Sequence, residues 1–229
     1  MSKLTRCLSA LFLLFGITSA QAATTLYYSE ADYLSALGGA DITTYDFDAV
    51  AAGTIIADGD TLNGATFSYT LLPALPSDPN PSIIVDTGFG TTSMNNYLGT
   101  DDGSDAFVGG DEFTITFDQT MHAVGLYVIS ADLIFADDFT ITTSSGQSVN
   151  NIAMSDVTLS DGEAYYIGLI EDDFNLGFDS ITLSSADFNF LFNVDDITVS
   201  PVPLPAAVWL MGSGLLFLVG IGRRTIRKS

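Results

Sequence analysis

The stretch FTITF, residues 113–117, decides the fold class, because apolar and polar side chains alternate along it residue by residue. Successive side chains of an extended chain point to opposite faces, so this alternation predicts a half-buried β-strand. Clusters of Gly, Asp, Asn and Pro separate such stretches, and predicted strands recur about every 10 to 15 residues. This spacing predicts an all-β fold, an antiparallel two-sheet β-sandwich of jelly-roll type. The same alternation, interrupted in the last case by an Asp pair, marks residues 66–71, 139–142, 180–183 and 194–199.

Within the central part of the chain, only residues 30–37 carry the pattern of a helix. Ser29 precedes them, acidic residues occupy the first turn, and Gly38-Gly39 follows as a stop signal. The central segment 23–200 is long enough for one domain with a sizeable hydrophobic core. We therefore expect a single β-domain with one short helix at its start.

The distribution of charge excludes one large class of partners. The chain has 28 acidic and 6 basic residues and a net charge of -22. All carboxylates lie between Glu30 and Asp196, and segment 23–200 contains one His but neither Lys nor Arg. Without cations the domain cannot neutralise phosphates, which excludes nucleic-acid binding. A hydrophobic content of 47% also argues against a disordered acidic chain.

The N-terminus predicts a secretory signal peptide over residues 1–22. Two basic residues in the first six positions are followed by an apolar run over 8–17 and by the small residues Ala20 and Ala22. This order is typical of a signal peptide cleaved after Ala22, and the run is short for a membrane-anchoring helix, which is the alternative. Cleavage would remove Cys7, the only cysteine, so the mature domain would have no disulfide and no thiol nucleophile.

The C-terminus predicts a transmembrane helix. Residues 206–222 form a run of seventeen residues without a charge, and Arg223-Arg224 follow immediately. A basic flank is expected on the cytoplasmic side of a span, which would leave the acidic domain 23–200 outside. The alternative is a buried core helix. The abrupt basic end of the run favours the transmembrane helix over this alternative.

Val202-Pro203-Leu204-Pro205, the apolar run and the basic pair together resemble the PEP-CTERM sorting signal of bacterial exported proteins. The resemblance covers residues 201–229, and Pro203-Leu204-Pro205 corresponds to the Val-Pro-Leu-Pro variant of the motif that names the family. It implies export in a Gram-negative bacterium and anchoring in the inner membrane before sorting. It further implies recognition by an exosortase-type processing protease and delivery to the cell surface or the extracellular matrix.

The domain offers few residues for catalysis. A Ser-His-Asp triad would have to use His122, the only histidine, and no nucleophile-elbow motif accompanies it. The residues before His122 predict a turn entering a strand, with the imidazole exposed. We therefore expect a protein that is not an enzyme. The alternative is a secreted carbohydrate-active hydrolase that uses an Asp/Glu pair.

Calcium is the cofactor that the acidic residues favour, because 24 of the 28 are Asp and Ca²⁺ prefers short, hard oxygen ligands. The loop containing Asp101, Asp102 and Asp105 places three carboxylates within five residues around Gly103. It lacks the spacing of an EF-hand, so solvated turn residues are the alternative.

A second predicted calcium site joins the two ends of the domain. Residues 44–48 and 192–199 resemble the first and last strands of jelly-roll carbohydrate-binding modules. In that family acidic residues of these adjacent strands hold a structural Ca²⁺, and solvated strand ends are again the alternative. By this resemblance the predicted ligands are Asp46, Asp48, Asp195 and Asp196.

Sugar binding is the function that accompanies such modules, and it needs an aromatic platform. Tyr97, Tyr165 and Tyr166 are the predicted ligand-contacting residues, with core tyrosines as the alternative. We thus expect an exported surface or matrix protein, whose most concrete role is to bind an extracellular polysaccharide. A purely structural anionic protein without a specific ligand is a third possibility.

Overall fold

A computed structural model describes residues 24–73, 80–131, 133–135, 138–150, 154–172, 177–186 and 190–202. The predicted signal peptide, the transmembrane run 206–222 and the sorting residues Pro203, Leu204, Pro205, Arg223 and Arg224 lie outside these ranges. No helix within them is long and apolar enough to cross a membrane. The elements are β1 Thr24–Tyr27, α1 Glu30–Leu37, β2 Thr43–Tyr45, β3 Thr54–Ile56, β4 Thr61–Leu62, β5 Ala65–Thr70, β6 Ile83–Asp86, β7 Tyr97–Thr100, β8 Glu112–Ser130, β9 Thr140–Thr143, β10 Ser148–Val149, β11 Val157–Thr158, β12 Glu163–Glu171, β13 Phe178–Ser184 and β14 Asn193–Pro201.

All described strand pairs are antiparallel, and the long strand β8 organises them. Residues 112–117 of β8 pair with β5 on one side and β13 on the other. Its second half, 121–130, pairs instead with β12 and β14. The prediction of an antiparallel all-β domain is confirmed. The sequence did not show that one strand would run through both halves of the sheet.

Two sets of strands therefore meet at β8. We call β4-β5-β8-β13-β9-β10 the first sheet. The second sheet contains β1 and β11 on β12, then β8 and β14, and then β2 and the series β7-β6-β3. Side chains of the two sheets form one core, in which Phe67 and Ile115 of the first join Leu126 and Ile167 of the second. This is the packing of a β-sandwich.

The predicted helix is confirmed as α1, and it covers the outer face of the second sheet. Gly38 ends it with φ of 62°, a left-handed conformation that glycine adopts without strain, and its N–H donates to the Ser35 carbonyl oxygen. Tyr33 is fully buried beneath the helix, in a second apolar cluster with side chains of β8 and β12. Gly125 and Gly168 pair across these strands and leave the space for its ring, since a Cβ at Gly168 would lie 2.6 Å from Tyr33 Cδ2.

His122 corrects one prediction. It lies within β8 rather than in a turn, and only 4% of its surface is exposed. Its Nδ1 is 3.1 Å from the Ser200 carbonyl oxygen and 2.9 Å from that of Pro201, so it donates to the end of β14. The polar residues 118–120, which suggested a turn, belong to the continuous strand β8. From Met121 onward the backbone of this strand pairs with β14, and β14 also accepts the hydrogen bond of the His122 imidazole.

Candidate functional site

The structure brings the four predicted calcium ligands at the ends of the domain around one loop, residues 92–96. Asp48 accepts hydrogen bonds from three successive main-chain N–H groups of this loop, those of Met94, Asn95 and Asn96, at 2.9, 2.8 and 3.1 Å. Burial opposes the charge of Asp48, but these hydrogen bonds outweigh it and hold the pKa of its carboxyl below the ordinary value. Asp48 is thus an ionised cap of the loop.

Asp195 is fully buried beside the same loop. Its Oδ2 accepts from the N–H and hydroxyl of Thr92, both at 3.1 Å, and from the N–H of Ser93 at 3.2 Å. Burial and the neighbouring charge of Asp196 raise the pKa of Asp195 to about 7. Burial also raises the pKa of Asp196, and Asp46 and Asp48 are close enough to add to that shift.

The second predicted calcium loop has its carboxylates engaged separately. Asp101 accepts from the N–H of Ser82 at 2.6 Å. Asp102 is buried and accepts from the Thr100 hydroxyl at 2.9 Å and from the Ser104 hydroxyl at 2.6 Å. Burial, and then the charges of Asp86 and Asp102, raise the pKa of Asp105. Asp102 thus stabilises the loop internally, and Asp101 connects it to Ser82.

Main-chain capping is the common function of aspartate in this domain. The short side chain of Asp reaches neighbouring amides, which the longer Glu does less well, and this accounts for the excess of Asp over Glu. The domain has no Lys or Arg to pair with its carboxylates. Main-chain N–H groups therefore stabilise many of the carboxylate charges instead. Among the described residues, twelve aspartates accept main-chain N–H bonds: Asp46, Asp48, Asp58, Asp60, Asp86, Asp101, Asp102, Asp111, Asp138, Asp156, Asp161 and Asp195.

The arrangement fits amide capping better than a metal ion. Ca²⁺ takes roughly six to eight oxygen ligands, and the oxygens of Asp48 and Asp195 already accept N–H bonds. Within the described ranges no group of three or more His, Cys, Asp or Glu side chains is placed to hold a metal ion. Calcium stays a prediction from the sequence.

The predicted sugar-stacking tyrosines are all buried, which corrects that prediction. Tyr97, Tyr165 and Tyr166 expose 0%, 3% and 0% of their surface. Tyr165 lies in the core between the sheets, and Tyr166 packs beneath α1 with its ring centroid 5.6 Å from that of Tyr33. The part of the second sheet formed by β8 and β12 is buried on both faces, so Tyr165 and Tyr166 are inaccessible to a polysaccharide.

The outer face of the first sheet is different, because it is uncovered and lined by hydroxyl groups. Along each strand the inward residues are buried, while the outward residues remain solvent-accessible. Over the paired segments 65–70, 112–117, 140–143 and 180–184, these outward residues are Ser or Thr except for Glu112, and the exposed Asp118 of β8 and Asp179 of β13 lie just beyond these segments. We define the hydroxyl face as the twelve residues Thr61, Thr66, Ser68, Thr70, Thr114, Thr116, Thr140, Thr142, Ser148, Ser180, Thr182 and Ser184.

The strand register aligns these hydroxyls in rows. One row crosses five strands through Ser68, Thr114, Thr182, Thr142 and Ser148. The hydroxyls of Thr114 and Thr182 are 2.8 Å apart, and that of Thr142 donates to Ser148 at 3.3 Å. Because strands lie about 4.8 Å apart and alternate residues about 6.7 Å apart, the rows form a two-dimensional array.

A groove of about 240 Å³ lies at one side of the hydroxyl face. It is lined by Ser68, Thr70 and Thr114 together with Asp58, Tyr69 and Glu112. Asp58 Oδ1 accepts from the N–H of Tyr69 at 3.0 Å, and the Tyr69 hydroxyl donates to the Ile56 carbonyl oxygen at 3.0 Å. The groove thus combines hydroxyls and two carboxylates, in contrast to an apolar groove of about 80 Å³ beside Phe89 and Leu191.

The hydroxyl face was missed at the sequence level, although one signal was present. Thr and Ser occupy the polar positions of the predicted strands 66–71, 113–117, 139–142 and 180–183. Alternation shows that these residues share a face of their own strand. It does not show that the four strands are neighbours in one sheet, or in which register.

Comparison with protein-family models and with curated protein sequences finds no match. Among solved structures, the CBM22-1 xylan-binding domain of Paenibacillus barcinonensis Xyn10C aligns with 72% of this chain and 97% of its own, at 13% identity and a TM-score of 0.36. A cleaved adhesin domain of Lys-gingipain from Porphyromonas gingivalis aligns with 71% of this chain and 98% of its own, at 10% identity and a TM-score of 0.30. Another cleaved adhesin domain of Lys-gingipain covers 78% and 99%, at 11% identity and a TM-score of 0.27. Scores this low carry no argument about function.

Proposed function

We propose that this chain is an exported, non-enzymatic protein of the cell surface or extracellular matrix that binds a polysaccharide on its hydroxyl face. The observation that supports the proposal is the alignment of Ser and Thr side chains in rows beside a polar groove. A hydroxyl both donates and accepts hydrogen bonds, as the hydroxyls of a sugar do. A repeating array of such groups suits a ligand that repeats its own hydroxyls along a chain.

Delivery and fold type belong to the same proposal. A signal peptide over residues 1–22 would export the chain, and the segment 201–229 would anchor it in the inner membrane through 206–222 until an exosortase-type protease processes it. The last described strand, β14, ends at Pro201, where this segment begins, and the Val202 N–H donates to the Thr120 carbonyl oxygen at 3.0 Å. We assign the sandwich to the jelly-roll type. A structural Ca²⁺ bound by Asp46, Asp48, Asp195 and Asp196 is part of the same proposal.

The test is a binding screen of the purified chain against a panel of polysaccharides, with added calcium and with EDTA. A double variant, Thr142→Val with Thr182→Val, removes two hydroxyls of the central row while keeping the shape of the side chains. We expect binding about tenfold weaker, since a lost hydrogen bond costs about 0.5–1.5 kcal/mol. Thr43→Val, at an exposed site on β2 in the second sheet, is the matched control and should bind as the wild type does.

Two results would contradict the proposal. Unchanged affinity in the double variant would remove the hydroxyl face from binding. Failure of every polysaccharide would favour a purely structural anionic protein. Binding that EDTA abolishes and calcium restores would add the metal ion to the site.

The hydrolase alternative is supported by one observation, the presence of Asp58 and Glu112 in the same groove. A pair of carboxylates can act as acid and base in glycoside hydrolysis. Release of reducing ends from a bound polysaccharide by the wild type, and its loss in Glu112→Gln, would establish that activity. We expect no release, because Asp58 is held by the Tyr69 amide as a turn residue.

A further inference from the structure

The two carboxylates of the groove retain hydrogen-bond acceptors that no described group uses. Glu112 is exposed, and its carboxylate has no hydrogen-bond partner among the described residues. Asp58 uses only Oδ1 in its hydrogen bond to the Tyr69 amide, which leaves Oδ2 available. Elsewhere, carboxylates such as Asp48 and Asp195 are surrounded by amide and hydroxyl donors. The groove thus keeps acceptor capacity that the protein itself does not use.

No cation of the domain can pair with these carboxylates, because segment 23–200 contains neither Lys nor Arg. Its 28 carboxylates produce a negative field that attracts cationic ligands and repels polyanions. A charge-assisted hydrogen bond from an ammonium group to a carboxylate is about twice as strong as a neutral one. A positively charged ligand would therefore gain both from the field and from direct contact with Glu112 and Asp58.

The hydroxyl groups that line the same groove as the two carboxylates restrict the class of ligand further. Ser68, Thr70 and Thr114 line the same groove, and the row from Ser68 continues across the sheet. A polyamine or a basic peptide would use the two charges but would leave these hydroxyl rows without matching partners. A polymer that repeats both ammonium and hydroxyl groups would engage all of them.

We propose that the groove selects a polysaccharide whose sugars carry free amino groups, held by Glu112 and Asp58 and by the hydroxyls of Ser68, Thr70 and Thr114. This inference rests on the proposed function and adds the charge of the ligand to it. The nitrogen must be a free amine, since N-acetylation removes the positive charge that the carboxylates would recognise.

The experiment compares two probes of equal length on the full chain: oligosaccharides of chitosan, with free amines, and the fully N-acetylated chitin oligosaccharides. Calorimetry is run at a pH at which the amines are protonated, at low and at high salt. We expect the amino form to bind about tenfold more tightly at low salt, with the preference shrinking as salt screens the charges. Alginate, a polyanion, should not bind.

Charge-matched variants separate the groove from the general field. Glu112→Gln should reduce the preference for the amino form about fivefold, as expected for one partly exposed charge pair. Glu163→Gln, on β12 of the second sheet, removes the same net charge away from the groove and should leave the preference unchanged. An equal loss in both variants would overturn the inference, because only net charge would then matter.

The remaining outcomes distinguish this inference from the function on which it rests. Equal affinity for the amino and acetylated oligosaccharides would overturn the amino selection and leave polysaccharide binding intact. Absence of binding by these and all other polysaccharides would overturn both. Binding of poly-lysine as tightly as chitosan, unaffected by Thr142→Val with Thr182→Val, would also overturn the inference in favour of unspecific attraction.

Discussion

The two outer faces of this sandwich differ in what covers them. The hydroxyl face of the first sheet is open to solvent, whereas α1 covers the outer face of the second sheet at β8 and β12, with Tyr33 against Tyr127 and Tyr166. The change takes place within one strand: β8 alternates buried and accessible residues over 112–117, and every residue from 121 to 130 is buried. A strand covered on both faces needs apolar residues throughout, while a strand covered on one face needs them only at alternate positions. The uncovered face is therefore the one that keeps polar groups accessible to solvent.

Removing the cover of the second sheet should have the largest effect. Tyr33→Ala deletes a fully buried aromatic ring whose centroid lies 5.6 Å from that of Tyr166 and 6.1 Å from that of Tyr27. We expect the free energy of unfolding to fall by about 3–5 kcal/mol, measured by urea denaturation. Leu34→Ala, at a position 36% exposed on the same helix, should cost less than about 1 kcal/mol.

The glycines beneath the helix provide the control for this packing. Gly168→Ala would place a methyl group 2.6 Å from Tyr33 Cδ2 and should destabilise the wild type by about 1–3 kcal/mol. In the Tyr33→Ala background the same substitution should cost less, because the ring that it meets is absent. Additive losses would show that Tyr33 and Gly168 are not coupled, and that α1 is not held as described.

The pH dependence of stability should depend on the second sheet, through Asp195 of β14. Its pKa is raised to about 7, so between pH 8 and pH 4 the folded state binds a proton that the unfolded state lacks. Stability should rise as the pH falls through this window, by at most about 1.4 kcal/mol per pH unit. The pKa of Asp48 is lowered, so its contribution is lost only at more acidic pH, when it protonates.

Denaturation curves at several pH values measure this effect. Asp195→Asn should reduce the rise between pH 8 and pH 5, whatever its effect on stability itself, and the pKa values of Asp105 and Asp196, which are also raised, account for the remaining slope. A slope as steep in this variant as in the wild type would assign the proton to another carboxyl group.

The smallest effect on stability is expected on the hydroxyl face. Thr182→Val keeps the shape of the side chain and loses one hydrogen bond to Thr114, at 2.8 Å, so we expect a change within about 1 kcal/mol. Ile181→Ala, at the adjacent position that points into the core, should cost about 2–5 kcal/mol. Thermal melting of both variants gives the comparison, and a large loss for Thr182→Val would mean that the hydroxyl row is a structural element.

Part of the site could be predicted from the sequence, and the reason lies in the range of the interactions. Alternation predicted that Thr114 and Thr182 would be exposed on their strands, because the direction of a side chain depends only on the local backbone. That these two residues face each other depends on the pairing of β8 with β13, which joins segments far apart in the chain. The burial of Tyr97, Tyr165 and Tyr166 was missed for the same reason, since a tyrosine in a strand does not show what will cover it.

Local periodicity and composition, which need no knowledge of neighbouring strands, were enough to predict the all-β class and the helix over 30–37 and to establish the lack of Lys and Arg in 23–200. Three features depend on the tertiary fold: β8 joins two sheets, aspartates accept hydrogen bonds from main-chain amides, and hydroxyls align in rows across five strands. Register and coverage depend on how the whole core packs, because pairing distant strands requires that the apolar faces of all of them be buried together.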